Sequence, residues 1–206
     1  MNEVVNYLDI RHKIGTFTVI NCEHRNWIWR LIGHTAVVYK CRITGQLMVL
    51  ESTNKNFTTG NSGVQLTPLG LWLKNYPGKV FIRVPEFVNK PSNTDAKWNR
   101  EEKAGQFVAQ HLIAKTSYPD LRTWSGRFKV ALSALDLKFR GKDLFTYKGD
   151  DVGIFCTMLV VQFYIYCGLM KPVIEAAECE PDDTRTHGFL ERQLVDCAWS
   201  DEIRIK

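Results

Sequence analysis

Three side chains in this sequence have the types and settings needed for nucleophilic acyl transfer: Cys156, His34 and Glu51. Cys156 lies near the front of "DDVGIFCTMLVVQFYIYCGLM", residues 150–170, where two acids and a glycine lead into a run that is apolar on every side. A thiol in the first turn of such a helix sits against unpaired backbone N–H groups and the positive end of the helix dipole. Both favour the thiolate, and the same N–H groups steady a developing oxyanion. An ordinary thiol, with a pKa of about 8.5, is mostly protonated at neutral pH and needs a nearby base. His34 follows Gly33 at the edge of the run "TAVVYK", where an imidazole can face a cleft. The other histidines fit less well: His111 falls on the apolar stripe of a helix, His12 and His24 lie in irregular segments, and His187 is in the tail. Glu51, a carboxylate within "MVLEST", is the candidate to orient the ring, with Asn54 as its rival. Each residue alone has a plainer reading, since free cysteine is usually a small buried hydrophobe, as Cys167 is here, and a strand carboxylate usually faces water.

The elements that must position these groups are visible as patterns. "TFTVI" at 16–20 is β-rich, and two further β-rich runs flank "RITGQ", whose Thr44 and Gly45 suit a tight reversal and so an antiparallel hairpin. A two-residue turn there pairs Val38 with Glu51 and puts His34 on the same face, several residues further along. "KVFIRV" at 79–84 is a further strand. Asn99, three residues before Glu102, has capping-box spacing ahead of a stripe of Ala104, Phe107, Val108, His111 and Leu112. "GRFKVALSALDL" is another helical segment, and the cysteine-bearing helix stops at Gly168 with Pro172 beyond. The expectation is one α+β domain over residues 1–206: a small, mainly antiparallel sheet packed on a central cysteine-bearing helix, with an irregular tail from about residue 175.

Composition narrows the function classes. Lys plus Arg number 27 against 22 Asp plus Glu, a net charge of +5 that permits an anionic partner without demanding one. No run of Lys and Arg interleaves with aromatics, so nucleic acid is not the expected partner. The six cysteines form no CxxC pair, which argues for reduced thiols rather than a zinc ribbon. The start, "MNEVVNYLDIRHKIG", has no basic stretch leading into a long apolar one, so a cytoplasmic chain is expected. Residues 153–170 touch the lower length limit for a membrane span, but Thr157, Gln162 and two tyrosines make them a core helix and no transmembrane segment is expected.

"GHTAVVYKCRITGQLMVLEST", "GVQLTPLGLWLKNYPGKVFIRV" and "DDVGIFCTMLVVQFYIYCGL" resemble, in order and spacing, the circularly permuted branch of the NlpC-like papain-fold superfamily, the YiiX-like group. That family has a "SHxGIV" strand, a "VLEA" strand, a "VxVxR" strand and then a "YCSELV" helix. The match spans most of residues 14–170, with the cysteine helix after the histidine strand as in the permuted branch. The resemblance implies a papain-like fold with Cys156 as nucleophile, His34 as general base and Glu51 as orienting acid. It implies hydrolysis of amide bonds, often in peptidoglycan stem peptides, or acyl chemistry on lipids in related branches. This chain has Gly33 where the family usually has Ser, Thr157-Met158 where it has Ser-Glu, and "GT" at Gly15-Thr16 where it has "GD". These departures suit a diverged member, of host or phage origin.

The leading expectation is therefore a cysteine peptidase or amidase that uses a Cys156–His34–Glu51 acyl-enzyme mechanism, with the Cys156 backbone N–H in the oxyanion hole and neither metal nor organic cofactor. Its expected partners are a peptide, a cell-wall peptide or an acylated substrate, and the absence of a visible leader implies release by lysis or an intracellular substrate. Two rivals keep the same residues: a lipid acyltransferase or thioesterase, and an inactive papain-like binding module.

Overall fold

The β-branched runs fold as strands. In the computed structural model, which describes residues 4–24, 33–88, 94–117, 156–172, 179 and 181–206, they form an α+β arrangement with an antiparallel main sheet. The strands are β1 (Val19–Glu23), β2 (His34–Lys40), β3 (Leu47–Thr53), β4 (Gly63–Pro68), β5 (Lys79–Arg83), β6 (Pro85–Phe87), β7 (Cys197–Trp199) and β8 (Ile203–Arg204). The helices are α1 (Tyr7–Ile10), α2 (Leu69–Asn75), α3 (Thr94–Ile113) and α4 (Cys156–Tyr166). The main sheet runs β4-β3-β2-β1-β5-β8, and β6 pairs with β7 in a separate ribbon.

The β2–β3 hairpin differs from the expected one. Val38 pairs with Val49 and Val37 with Leu50, a shift of two residues from the Val38–Glu51 pairing of a two-residue turn. The connection is the longer segment 41–46, closed by Cys41 N–H to Gln46 O at 2.9 Å and Gly45 N–H to Cys41 O at 2.8 Å. Gly45 takes φ 69°, which a side chain would resist. A shift of two is one pleat repeat, so His34 and Glu51 still share a face, and they now stand nearer each other along the strands.

The sheet is buried on both sides, and alternation sorts its residues into two clusters. On one face Val19, Val37, Leu50 and Val64 pack with Ala104 and Phe107 of α3 and with Leu159, Val160 and Phe163 of α4. On the other, Ile20, Ala36, Val38, Val49 and Ile82 pack with Leu69, Trp72 and Leu73 of α2 and with Ile10 and Ile14. Every residue from Cys156 to Val161 is buried, which is why α4 has no polar face in the sequence. Its end follows expectation, with Gly168 at φ 72° and Leu169 N–H donating to Tyr164 O at 2.8 Å.

Several expectations need correction. The first strand lies at Val19–Glu23 rather than 16–20. α3 begins at Thr94, so Asn99 is inside the helix and caps nothing, and Leu112 is 38% exposed rather than part of the apolar stripe. The end of the chain is not irregular: β8 forms the edge strand beside β5, and Arg83 anchors the segment before it. Arg83 is fully buried and donates to Ser200 O at 2.8 Å, Arg185 O at 2.9 Å, Thr184 O at 3.2 Å and Glu191 Oε1 at 2.7 Å. The helical segment in "GRFKVALSALDL" and the approach to α4 at 151–155 lie outside the described residues. Among the described residues, no helix is long and apolar enough to cross a membrane.

Candidate active site

His34 opens β2, directly after Gly33, whose backbone is left-handed at φ 65°. A residue with a side chain is strained in that conformation, so glycine suits the approach to the histidine. The imidazole Nε2 lies 2.7 Å from Glu51 Oε2. Glu51 is only 3% exposed and sits in the middle of β3, where a lone carboxylate would be costly without partners. It has them: Asn56 Nδ2 donates to its Oε1 at 2.6 Å and Trp72 Nε1 at 2.8 Å. Both oxygens are thus engaged, one by the imidazole and one by two fixed N–H donors.

Asn56 is itself fastened. Its Oδ1 accepts from the Thr58 and Thr59 backbone N–H groups at 2.7 and 2.8 Å, and its Nδ2 also reaches Thr67 Oγ1 at 3.1 Å. Trp72, carried on α2, stacks on Tyr76 at 4.9 Å between ring centroids. Cys22 faces His34 across the β1–β2 ladder. Burial pushes the Cys22 thiol well above its ordinary range, so this thiol stays protonated under the imidazole.

Cys156 begins the described part of α4, on the other side of the sheet from α2. Both backbone groups of Val38 bond towards β1, through Val38 N–H to Thr18 O and Phe17 N–H to Val38 O, so the odd-numbered residues of β2 point their groups towards β3. The β2–β3 ladder ends at Val37–Leu50, which leaves the Thr35 N–H free of it. The Thr35 backbone is one of the groups that lower the Cys156 thiol. The His34 side chain acts on the same thiol, through a hydrogen bond and its charge, as one of the groups that lower it, and its Nε2 is engaged by Glu51. Thr157 Oγ1 lies 3.9 Å from the same sulfur.

The electrostatics favour an ionised pair. Burial alone would push the Cys156 thiol up, but the hydrogen bond and charge of His34, with the Thr35 N–H and Thr157 hydroxyl, bring it below its ordinary value. Burial would likewise lower the His34 pKa, yet the Cys156 sulfur and the Glu51 carboxylate raise it to about 10. Both shifts run in the direction that favours a thiolate beside an imidazolium, which a cysteine nucleophile with an attached proton donor requires.

All three candidate site residues thus meet. Asn54 is exposed in the turn after β3, and Glu51 is the group against the ring. His111 is held elsewhere, by Thr116 Oγ1 at 3.0 Å and the Phe107 ring at 4.3 Å. Cys167, in the turn after α4, is pushed up to about 12 by burial. Asn56, Trp72, Thr67 and Tyr76 were not singled out from sequence. Their only signal there is a tryptophan and a tyrosine in "LGLWLKNYPG" and a run of Asn and Thr after Glu51, neither of which specifies a partner. Among the described residues, no group of three His, Cys, Asp or Glu side chains is arranged to hold a metal ion.

No protein-family model matches this chain, and no curated protein is significantly similar to it in sequence.

Proposed function

We propose that this protein is a cysteine hydrolase of amide bonds, built on a papain-like fold of the permuted NlpC-like kind. The observation that carries this reading is the 2.7 Å contact of His34 Nε2 with the buried Glu51 carboxylate, beside a Cys156 thiol that the same imidazole lowers. The order histidine strand, acid strand, cysteine helix and the antiparallel sheet support it. Gly33, where the family usually has Ser, is consistent with the positive φ before the histidine.

In this mechanism the Cys156 thiolate attacks the substrate carbonyl carbon and the C=O π pair moves onto oxygen. The Cys156 backbone N–H forms part of the oxyanion hole. The tetrahedral adduct collapses, the C–N bond breaks, and the leaving nitrogen takes the proton held on His34. That leaves a thioester at Cys156. Neutral His34 then removes a proton from water, the hydroxide attacks the thioester carbonyl, and the sulfur departs as thiolate beside the re-formed imidazolium. Glu51 holds the ring in place and stabilises its positive charge throughout. Peptidoglycan stem peptides are the proposed amide substrates.

The test is turnover of wall stem peptides and of acyl thioesters by the wild-type and Cys156→Ser proteins. Peptide cleavage that vanishes in Cys156→Ser supports the reading. Thioester turnover without peptide cleavage moves the substrate to acyl groups. Equal turnover by both proteins removes the enzymatic role of Cys156.

A further inference from the structure

The Glu51 carboxylate is itself held, and one of its holders has a chemistry that its place in the chain does not require. Asn56 is buried, and every hydrogen-bonding position of its side chain is used. Oδ1 accepts from the Thr58 and Thr59 backbone N–H groups at 2.7 and 2.8 Å, and the two Nδ2 hydrogens go to Glu51 Oε1 at 2.6 Å and Thr67 Oγ1 at 3.1 Å. A backbone N–H can only donate, so the amide cannot turn over. Its carbonyl must face the turn, and its NH2 must face Glu51.

A turn of this kind needs only a short side chain with an acceptor, which aspartate or serine supplies as well as asparagine. Aspartate there would set a second carboxylate where Nδ2 now lies 2.6 Å from Glu51, and serine would fall short of it. Donation to Glu51 is thus what requires the amide. Its effect follows from where the donors come from. Asn56, on the loop after β3, and Trp72 Nε1, on α2 at 2.8 Å, converge on the same oxygen. One donor would leave the carboxylate free to swing about it, whereas two from different elements fix its plane. That plane puts Oε2 at 2.7 Å from His34 Nε2.

We propose that Asn56 is a positioning residue for the Glu51–His34 pair: its NH2 fixes the carboxylate so that Oε2 stays on the imidazole as the ring gains and loses its other proton. The proposal rests on the reading of His34 as the base. Asn56 acts only through Glu51, and no covalent bond forms or breaks at it.

The test compares Asn56→Ser and Asn75→Ala with wild type, by turnover of wall stem peptides and by proton NMR of the hydrogen held between His34 Nε2 and Glu51 Oε2, identified by its loss in His34→Gln. Asn56→Ser keeps an acceptor for the turn and loses donation to Glu51. Asn75→Ala loosens the same loop by removing the 3.2 Å bond from Asn75 Nδ2 to Thr58 Oγ1, and leaves both donors to Glu51 in place. In Asn56→Ser that hydrogen is expected to exchange with water about tenfold faster, and kcat to fall about tenfold with KM little changed. Asn75→Ala is expected to match wild type in both. A wild-type exchange rate in Asn56→Ser overturns the role of Asn56. Exchange as fast in Asn75→Ala shows that loop stiffness alone is at work and overturns it too. Should Asn56→Ser fail to fold, the Asn56 side-chain amide hydrogens are followed in wild type. They should shift as His34 titrates, and resonances that stay still overturn the proposal. The NMR readout needs no substrate, so faster exchange in Asn56→Ser without any peptide turnover by wild type supports the positioning and overturns the hydrolase reading instead.

Discussion

Replacing Glu51 by Gln tests the role of the carboxylate with almost no change in shape. Its Oε1 accepts from Asn56 Nδ2 at 2.6 Å and Trp72 Nε1 at 2.8 Å, and neither donor can become an acceptor. The side-chain amide of the Glu51→Gln protein must therefore turn its carbonyl oxygen to that pair and its NH2 to His34. The ring nitrogen that faced Glu51 Oε2 at 2.7 Å must then lose its proton and accept. A neutral imidazole so held carries its hydrogen on Nδ1, pointing at the sulfur, and has no lone pair left to take the thiol proton. Two effects follow. Loss of a hydrogen bond to a charged group, worth about 1.5–3 kcal/mol, lowers the His34 pKa by about one to two units. From its wild-type value of about 10 it therefore falls towards the ordinary histidine range. The wrong tautomer also removes general-base catalysis, so turnover falls by about 10²- to 10⁴-fold. The assay is proton NMR titration of the imidazoles, with His34 assigned among the five histidines by a His34→Gln spectrum, alongside turnover. A His34 titration in Glu51→Gln that overlays the wild type refutes the reasoning, whatever happens to turnover.

Trp72→Phe removes one of the two donors to Glu51 Oε1 and keeps the stack on Tyr76. It is expected to cost about 1 kcal/mol, about a fivefold loss in kcat with KM little changed, measured by steady-state kinetics. Arg83→Met strands the carbonyls of Thr184, Arg185 and Ser200 that the guanidinium now serves. A loss of about 3–5 kcal/mol is expected, seen as a lower urea midpoint at unchanged slope. Burial would raise the Glu191 pKa, but the hydrogen bond and charge of Arg83 hold it below its ordinary value. A depressed carboxyl stabilises the fold above its ordinary pKa and loses that contribution as pH falls through the lowered one, so Arg83→Met should lose this part of the acid dependence of stability.

The candidate site residues stand out in the sequence because their types are scarce: one cysteine at the front of an all-apolar helix, one histidine at a strand edge, one carboxylate inside a β-rich run. The shared face of His34 and Glu51 followed from the two-residue pleat and survived the wrong turn length. The turn length itself was not legible, because Thr44-Gly45 suits both a two-residue reversal and the last step of a longer loop that closes from Cys41 to Gln46. Asn54 and Asn56 are equivalent in local sequence, and only the return of the chain through β4 and α2 brings Asn56 to Glu51 beside Thr67 and Trp72. Asn99 has the spacing of a cap, but residues before it continue the helix back to Thr94. The tail lacks long β-branched runs, since β7 and β8 are three and two residues long, and its order depends on the buried guanidinium of Arg83, over a hundred positions away in sequence from Thr184.

The proposed activation of Cys156 by His34 is best tested by the ultraviolet absorbance of the thiolate, recorded against pH as a difference between wild-type and Cys156→Ser protein. The lowered thiol predicts a step that titrates on the acid side of the ordinary value of about 8.5 and is absent from the variant. A difference spectrum that stays flat until the pH passes that value would mean that the sulfur is an unactivated thiol and that the imidazole does not serve it.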